Sequence, residues 1–315
     1  MRLLYTTPGQ YAGQADPFIL KTGGRYYIYV TGHDAIYAYQ SDDLFSGWSY
    51  YGPVLKIAHR KAFWAPSVIE LDGKFYMYNS VEGADVVPDQ GGHDGAMHVS
   101  VADTPLGPFT AVKRILPPFS IDSHIVQNEA GLFLFYSANR FEGERIGTCI
   151  YVDKMLDPFT PAGNPVLVVE PTIDEDIYWK NRYKKGQHWH TIEGAFYFKE
   201  GDWQYVMYSG NCFEKPTYYI GYACAKTTET DLTKIKFEKY PDDRTYHPVL
   251  RANDFEEGTG HHSMIKEDGV WYAIYHARDR KRNLLESAFD ARNARICKLH
   301  VEDGIITAER YADHI

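Results

Sequence analysis

Charged and aromatic residues recur at one position of this sequence, counted back from a set of glycines. The residues are Asp16, Asp122 and Glu193, with His261 and the pair Trp64–Ala65 in two further copies, and the glycines that follow each after eight or nine residues are Gly24, Gly131, Gly201, Gly269 and Gly73. A single acid at the start of an apolar strand is usually a cap or turn residue, but three at one offset favour a shared site. Carboxyl groups that converge repel each other, so at least one pKa should be raised, which separates a general acid from a general base.

The glycines belong to a repeat. Each glycine turn is followed by a strand rich in Tyr, Phe or Trp that ends in a small polar residue, and the copies begin at Gly24, Gly73, Gly131, Gly201 and Gly269. Aromatic and β-branched residues favour strands, and the turn indicates a hairpin with the strand before it. Aromatic residues make up 15% of the chain, which has 26 tyrosines, so much of this excess falls in the repeated strands.

The repeat predicts an all-β fold. A third and a fourth strand follow each hairpin, so each unit has four antiparallel strands, and five units predict a five-bladed β-propeller that occupies residues 1–315 as a single catalytic domain. The first strand of each blade would line a central channel, where the five equivalent positions meet. A β-sandwich with a helical insert is the main alternative.

The composition of the chain limits the classes of partner that it is expected to bind. Lys and Arg number 33 and Asp and Glu 42, which gives a net charge of −9 and no basic stripe, so nucleic acid and an anionic membrane surface are not expected to bind. No apolar run is long enough for a membrane span. The four cysteines form no C-x-x-C pair and the first residues lack the apolar core of a signal peptide, which predicts a cytoplasmic protein.

Five short motifs in this order resemble glycoside hydrolase family 43. They are Ala-Asp-Pro at 15–17, Trp-Ala-Pro at 64–66, Ile-Asp at 121–122, Ile-Glu-Gly at 192–194 and Gly-x-Gly-His-x-Ser at 258–263. The resemblance extends from about Gln14 to Gly304. It implies a five-bladed propeller and an inverting glycosidase.

The resemblance also implies roles for single residues. Asp16 matches the general base, Glu193 the general acid, and Asp122 the third carboxylate, which tunes the pKa of the acid and holds it in position. Inversion would place the base and acid carboxyls about 6.5–9.5 Å apart. An arginine beside Asp122 would keep that carboxylate charged.

Three further residues are expected to contact substrate. Trp64 matches an aromatic wall of the sugar pocket, His261 a channel histidine near the sugar or near a calcium ion bound through water, and Arg292 the arginine near the carboxylates, with Arg295 as a rival. No cofactor is expected to be required, although a structural calcium could lie in the central channel.

Some features lie outside the commonest family pattern. Few residues follow Gly304, so a pocket wall would have to come from a loop or from a neighbouring subunit of a homo-oligomer. The long charged segment 169–194 and the segment 83–95 are predicted to be loops at the pocket rim. His188 and His190 could share a face of a strand, so a zinc site is an alternative for them.

These patterns predict a glycosidase that removes a terminal pentose, α-L-arabinofuranose or β-D-xylose, from short plant-derived oligosaccharides. Three alternatives remain: an endo-acting arabinanase of the same fold, a sugar-binding propeller without catalysis, and a metal-dependent hydrolase.

Overall fold

The computed structural model describes residues 1–4, 13–83, 93–280 and 292–310. Within these ranges the chain is all β, with no α-helix and two short 3-10 helices at Asp174–Asp176 and Leu232–Lys234. The all-β prediction is therefore confirmed for the described residues.

Two four-stranded antiparallel sheets come first along the chain, each with its strands in sequence order. The first contains β1 (Phe18–Thr22), β2 (Arg25–Val30), β3 (Ile36–Ser41) and β4 (Ser49–Leu55), and the second contains β5 (Lys61–Leu71), β6 (Lys74–Glu82), β7 (Ala96–Ala102) and β8 (Thr110–Pro118). The first two strands of each sheet pair as the predicted hairpin, for example Thr22 with Arg25 around the glycine turn.

A ten-stranded sheet follows. Its strands are β9 (Ser120–Asn128), β10 (Gly131–Arg140), β11 (Gly147–Asp157), β12 (Thr160–Pro161), β13 (Val166–Val169), β14 (Ile177–Trp179), β15 (Trp189–Glu200), β16 (Trp203–Gly210), β17 (Tyr219–Lys226) and β18 (Glu238–Lys239). Its two antiparallel halves, β9–β13 and β14–β18, are joined by a parallel contact of Gly147 and Thr148 with His190 and Thr191. A Cβ on Gly147 would lie 1.9 Å from the His190 carbonyl oxygen, so only glycine allows the halves to meet.

The last sheet contains β19 (Glu256–Glu267), β20 (Val270–Asp279), β21 (Asn293–Glu302) and β22 (Ile305–Glu309), again in sequence order. Two segments near the start of the chain bond to this last sheet and its edge. The Leu3 N–H donates to the Ala294 carbonyl at 2.9 Å, and the Gln14 N–H donates to the Arg292 carbonyl at 2.9 Å. The described strands thus form four hydrogen-bonded sheets instead of the five predicted, because the Gly147 contact joins two groups of strands.

The core consists of apolar clusters that lie between successive groups of strands. Buried side chains that represent these clusters are Tyr29 and Phe63 between the first two sheets, Tyr78 and Leu134 between the second sheet and β10, Phe135 and Val206 between β10 and β16, Met207 and Tyr275 between β16 and the last sheet, and Ile28 and Ile274 between the last sheet and the first. The last of these clusters joins the final sheet to the first, so each group of strands packs against a neighbouring group on either side. Burial of aromatic side chains at each interface supplies the main stabilising free energy.

Near the start of the first strand of each of the five groups, the residue at or directly beside the repeated site position lies in the left-handed backbone region. These residues are Asp16 (φ 51°), Ala65 (φ 47°), Asp122 (φ 58°), Gly194 (φ 65°) and His261 (φ 24°). Register shifts accompany four of them, at Trp64/Ser67, Phe135/Ser137, Glu193/Phe196 and Gly260/His262. A bulge of this kind bends the strand and re-aims its side chain.

Side chains of the neighbouring group hold most of these strained positions. The N–H groups of Ala65, Gly194, His261 and Asp16 donate to Thr31 Oγ1 (2.8 Å), Ser137 Oγ (3.3 Å), Ser209 Oγ (2.9 Å) and His276 Nδ1 (3.2 Å), respectively. In these four repeats the acceptors lie in the last residues of the second strand or directly after it. In the remaining group, Ser80 Oγ donates instead to the Ser120 carbonyl at 3.1 Å.

Removal of one such acceptor should destabilise the fold. In Ser209→Ala the buried His261 N–H loses its partner, which should lower the free energy of unfolding by about 1–3 kcal/mol. The control Ser49→Ala removes an exposed hydroxyl that donates to the Gln40 carbonyl, and should change it by less than about 0.5 kcal/mol. Urea unfolding followed by tryptophan fluorescence measures both. Equal stability of the two variants would show that the cross-sheet bond does not hold the strand.

Candidate active site

Three of the left-handed residues, Asp16, Asp122 and His261, line a cavity of about 410 Å³, and Trp64 and Glu193, which directly precede the other two, line it as well. Its lining includes all six residues that the sequence singled out: Asp16, Trp64, Asp122, Glu193, His261 and Arg292. The lining also includes Thr31, Tyr218 and residues of the segment 169–194. Its volume is near the lower end of the range typical of small-molecule sites.

Asp16 is held in an ionised state by its neighbours. Thr31 Oγ1 donates to Asp16 Oδ2 at 2.5 Å, and Asp16 Oδ1 lies 3.3 Å from His276 Nδ1, 3.6 Å from His261 Nδ1 and 3.7 Å from an Arg292 terminal nitrogen. Burial alone would raise the pKa of Asp16, but the attraction of His261, the contact with His276 and the Arg292 charge outweigh it. The pKa of this carboxyl therefore lies well below its usual range.

Glu193 has the opposite electrostatic environment. Burial raises its pKa to about 7, the negative charge of Asp16 adds to this rise, and the hydrogen bond that Tyr218 donates to Oε1 at 2.8 Å opposes it. Glu193 precedes the left-handed residue of its strand, Gly194, whereas the other two acids occupy that position themselves. Near neutral pH one carboxyl is thus ionised and another retains a proton for much of the time.

The electrostatic environment of Asp122 differs from the one expected from the sequence. Burial, followed by the charges of Glu193 and Asp16, raises the pKa of Asp122 well above its ordinary value, and the Gly194 N–H and Arg292 offset only part of this. A protonated Asp122 adds no negative charge beside Glu193. The rise in the pKa of Glu193 therefore comes from burial and Asp16, and the expectation that an arginine keeps Asp122 charged does not agree with this environment.

The two arginines proposed for the site lie in different places. The guanidinium of Arg292 lies over the Phe213 ring at 4.7 Å and faces the cavity beside Asp16. Arg295 is buried on β21, where it pairs with Asp279 and with Glu256 at 3.4 Å. The structure thus brings Arg292, and not its rival, to the carboxylates.

His261 lines the cavity between Asp16 and Asp122. Its ring fits there because the neighbouring position is Gly194, where a Cβ would lie 3.1 Å from the imidazole. Burial lowers the pKa of His261, although Asp16 opposes this, so the ring is neutral at neutral pH. Nδ1 lies 3.8 Å from Asp122 Oδ1 and 3.6 Å from Asp16 Oδ1, so the ring lies close to both acids.

The residues do not form a direct ligand set for a metal. Across residues 1–4, 13–83, 93–280 and 292–310, no group of three His, Cys, Asp or Glu side chains could hold an ion. Calcium prefers six to eight oxygen ligands, which a single imidazole does not provide. A calcium ion held by His261 through water stays a prediction.

The paired histidines have other partners. His190 lies with Nε2 3.1 Å from an Arg145 nitrogen and Nδ1 3.2 Å from the Ile146 carbonyl, and His188 Nδ1 accepts from the Asn181 N–H at 3.0 Å. A cation beside His190 disfavours a second positive ion there. The arrangement does not favour the zinc alternative.

Aromatic side chains line the walls and the rim. Trp64 lies on one wall and meets the His93 ring edge-on at 5.4 Å. Tyr178, Trp179, Arg182 and Trp189 come from the segment 169–194, which therefore lies at the cavity as predicted. Most of the other predicted rim segment, residues 84–92, lies outside the described residues.

Three residues that contact the acids were not identified from the sequence. Thr31 and His276 end the second strands of their repeats, and this shared position was the available signal. Tyr218 immediately precedes β17 and has no repeat partner, so no sequence signal distinguished it. Tyr218 is also buried and donates to Glu193, and burial raises its own pKa well above the ordinary value.

A concave site that holds one ionised carboxyl, one carboxyl protonated near neutral pH, and aromatic walls is the kind of site that glycoside hydrolases use. Residues 5–306 match the family model for glycosyl hydrolases family 43. The chain belongs to this family.

Similar proteins agree with this assignment. An extracellular exo-α-(1→5)-L-arabinofuranosidase of Streptomyces avermitilis is 26% identical over 295 residues, which cover 85% of this chain and 55% of that protein. The chain thus spans about half the length of this relative. The crystal structure of a thermostable family-43 glycoside hydrolase is 27% identical with a TM-score of 0.76, over 98% of this chain and 96% of that one.

The fold is also similar to that of an α-L-arabinofuranosidase from Lactobacillus brevis, with 20% identity and a TM-score of 0.74 over 94% of this chain and 93% of that one. Among the described residues, no helix is long and apolar enough to cross a membrane. The Streptomyces relative is named as extracellular, so the comparison gives no support to the cytoplasmic prediction.

The raised pKa of Glu193 predicts how stability depends on pH. Between about pH 4.5 and pH 7 the folded protein keeps a proton on Glu193 that the unfolded chain has already lost, so this group lowers stability as pH rises through that window. Glu193→Gln cannot titrate. Its free energy of unfolding relative to the parent protein should therefore increase between pH 5 and pH 8.

Urea unfolding at the two pH values measures this difference. Glu302→Gln, at an exposed position on β21, is the matched control and should show a difference that does not change with pH. A constant difference for Glu193→Gln would mean that Glu193 is ionised in the folded protein across the whole range.

Proposed function

We propose that this chain is an inverting glycosidase that releases a terminal pentose from short oligosaccharides. The observation that carries the proposal is the opposite electrostatic state of two carboxyls in one cavity: Asp16 ionised, and Glu193 with a pKa of about 7. A general base and a general acid require this difference at neutral pH.

The proposed architecture is a single-domain propeller of five blades, in which the ten-stranded sheet represents two blades in contact at Gly147 and His190. Five interface clusters and five left-handed positions among the described residues support this count. The contact of His276 with the Asp16 N–H, which joins the last sheet to the first, supports a closed ring.

In the proposed reaction Asp16 accepts a proton from water as the water oxygen bonds to the anomeric carbon. Glu193 donates its proton to the glycosidic oxygen as the bond from that oxygen to the anomeric carbon breaks. Thr31 orients Asp16, and Tyr218 orients Glu193. Arg292 then helps to keep Asp16 ionised before each turnover.

Asp122 acts in this scheme as a positioning residue. Its carboxyl interacts with the backbone N–H of Gly194, next to Glu193 in the chain, and that N–H also donates to Ser137 Oγ, so Asp122 helps to fix the strand that carries the acid. Trp64 supplies a flat apolar wall, on which the carbon face of a sugar ring can pack. His261 remains available to bind a sugar hydroxyl as a neutral imidazole.

We propose α-L-arabinofuranose as the first pentose to test and β-D-xylose as the second. The name of the Streptomyces relative gives arabinofuranose and an exo mode of action for that protein. A cavity of about 410 Å³ suits removal of a terminal unit. An endo-acting arabinanase would instead release internal fragments from linear arabinan.

Removal of the proton donor tests the assignment of the acid. Glu193→Gln keeps the shape of the side chain and can still accept from Tyr218, but it carries no transferable proton, so kcat on an unactivated arabino- or xylo-oligosaccharide should fall by about 10²–10⁴-fold. The exposed variant Glu302→Gln is the control. Release of free pentose, measured by chromatography, reports the rate.

If Glu193→Gln retained the parent rate, the acid would be another group and the proposal for this residue would be wrong. If no pentose-containing oligosaccharide were hydrolysed by the parent protein, a sugar-binding role without catalysis would replace the enzyme.

A further inference from the structure

The cavity rim contains a group of aromatic and cationic side chains that the proposed reaction does not use. The group, termed the cationic rim, consists of Trp179, Lys180, Arg182, Tyr183 and Trp189 on the hairpin formed by β14, β15 and their connection. The side chains of Trp179 and Tyr183 are 55% and 46% exposed. Exposed rings that border a cavity of this kind often bind a ligand.

Arg182 is the centre of this group. Its guanidinium lies 4.8 Å from the ring centre of Trp189 and 5.4 Å from those of Trp179 and Tyr183. Stacking against rings covers the faces of a guanidinium and leaves its N–H edges free to donate. Arg182 and Trp179 both line the same cavity as Glu193.

The charge of this hairpin contrasts with that of the rest of the chain. The stretch 177–192 contains Lys180, Arg182, Lys184 and Lys185 and no acidic residue, in a protein of net charge −9. Among the described residues, none of these four cations forms an ion pair with a carboxylate. Of the four cations, Arg182 lines the cavity, together with Arg292 and the carboxyls of Asp16, Glu82, Asp122 and Glu193.

Hydrogen bonds to buried residues fix the segment that directly precedes the hairpin. Asp176, which is fully buried, accepts hydrogen bonds from the Thr172 N–H at 2.9 Å and from the Tyr219 hydroxyl at 2.5 Å. Asn211 Nδ2 also donates to the Glu175 carbonyl at 2.8 Å. A rim fixed in this way is preorganised, which lowers the entropy that is lost when it binds a ligand.

The position of the rim identifies what it could contact. Trp189 precedes Glu193 by four residues on β15, which is about 13 Å along a strand. The pentose that is cleaved lies at the carboxyls, so the rim faces the part of the substrate that leaves. A carboxylate on that part could form a paired hydrogen bond with the edge of Arg182.

We infer that the cationic rim is a binding site for a sugar acid on the leaving side of the substrate, in which Trp179 stacks on the sugar and Arg182 binds its carboxylate. This inference rests on the proposed glycosidase function. It makes an acidic, uronate-bearing oligosaccharide the preferred substrate class, and it assigns the preference to Arg182.

A matched pair of ligands tests the inference. The first is a xylo-oligosaccharide with a glucuronic acid substituent, and the second is the same molecule after reduction of its carboxylate to an alcohol. Their inhibition constants are measured against hydrolysis of a 4-nitrophenyl pentoside, whose small leaving group does not carry a sugar. The parent protein should bind the acidic ligand about tenfold more tightly at low salt, and less selectively at high salt.

Three variants separate the contribution of Arg182 to ligand binding from that of Trp179 and from a general effect of charge. Arg182→Gln should reduce the preference to about one. Trp179→Ala, at an exposed position, should weaken both ligands by a similar factor and keep their ratio. Arg25→Gln, which removes the same charge at the exposed first residue of β2, should change neither constant.

The results distinguish the inference from the function on which it rests. Absence of 4-nitrophenyl pentoside hydrolysis by the parent protein would contradict the proposed function. Hydrolysis with equal inhibition by the two ligands, or an equal loss for both in Arg182→Gln, would overturn the inference and leave Arg182 as a support of the hairpin.

Discussion

The site depends on a backbone constraint that is repeated five times. Near the start of the first strand of each group, the residue at or directly beside the repeated site position adopts a left-handed conformation. This conformation is unfavourable for residues such as Ala65 and His261. Hydrogen bonds from a neighbouring group of strands to the N–H, as with Thr31 and Ser209, help to offset this strain. The same bonds connect successive groups, so the positions of the site residues and the packing of the sheets depend on each other.

This constraint has an electrostatic consequence. It directs Asp16 and Asp122 into one cavity with Glu193, where burial and mutual repulsion would make three ionised carboxylates too costly. The cations and rings around Asp16 allow this group to keep its charge, whereas the pKa values of Asp122 and Glu193 are raised. The difference between acid and base therefore follows from which carboxyl has the positive neighbours, and not from residue type.

The sequence could predict the strands and most of the cavity lining because the aromatic repeat has a fixed spacing from its glycines. It did not show that Gly194, and not Glu193, takes the left-handed position, since that depends on a bulge in β15. Four sheets instead of five result from one close approach at Gly147, which spacing does not reveal. Tyr218 lies between the repeated strands, so its place at the cavity depends on tertiary packing alone, whereas Arg182 belongs to the segment 169–194, which was predicted at the rim without this residue being distinguished.

The central claim is that Asp16 activates water and does not itself attack the sugar. The anomeric configuration of the first-formed product tests this most directly, and proton NMR recorded during hydrolysis of a pentoside by the parent protein measures it. Inversion, with the product of opposite configuration appearing before mutarotation, is the predicted result. Retention of configuration would show that a carboxylate forms a covalent intermediate, and would contradict the roles assigned to Asp16 and Glu193.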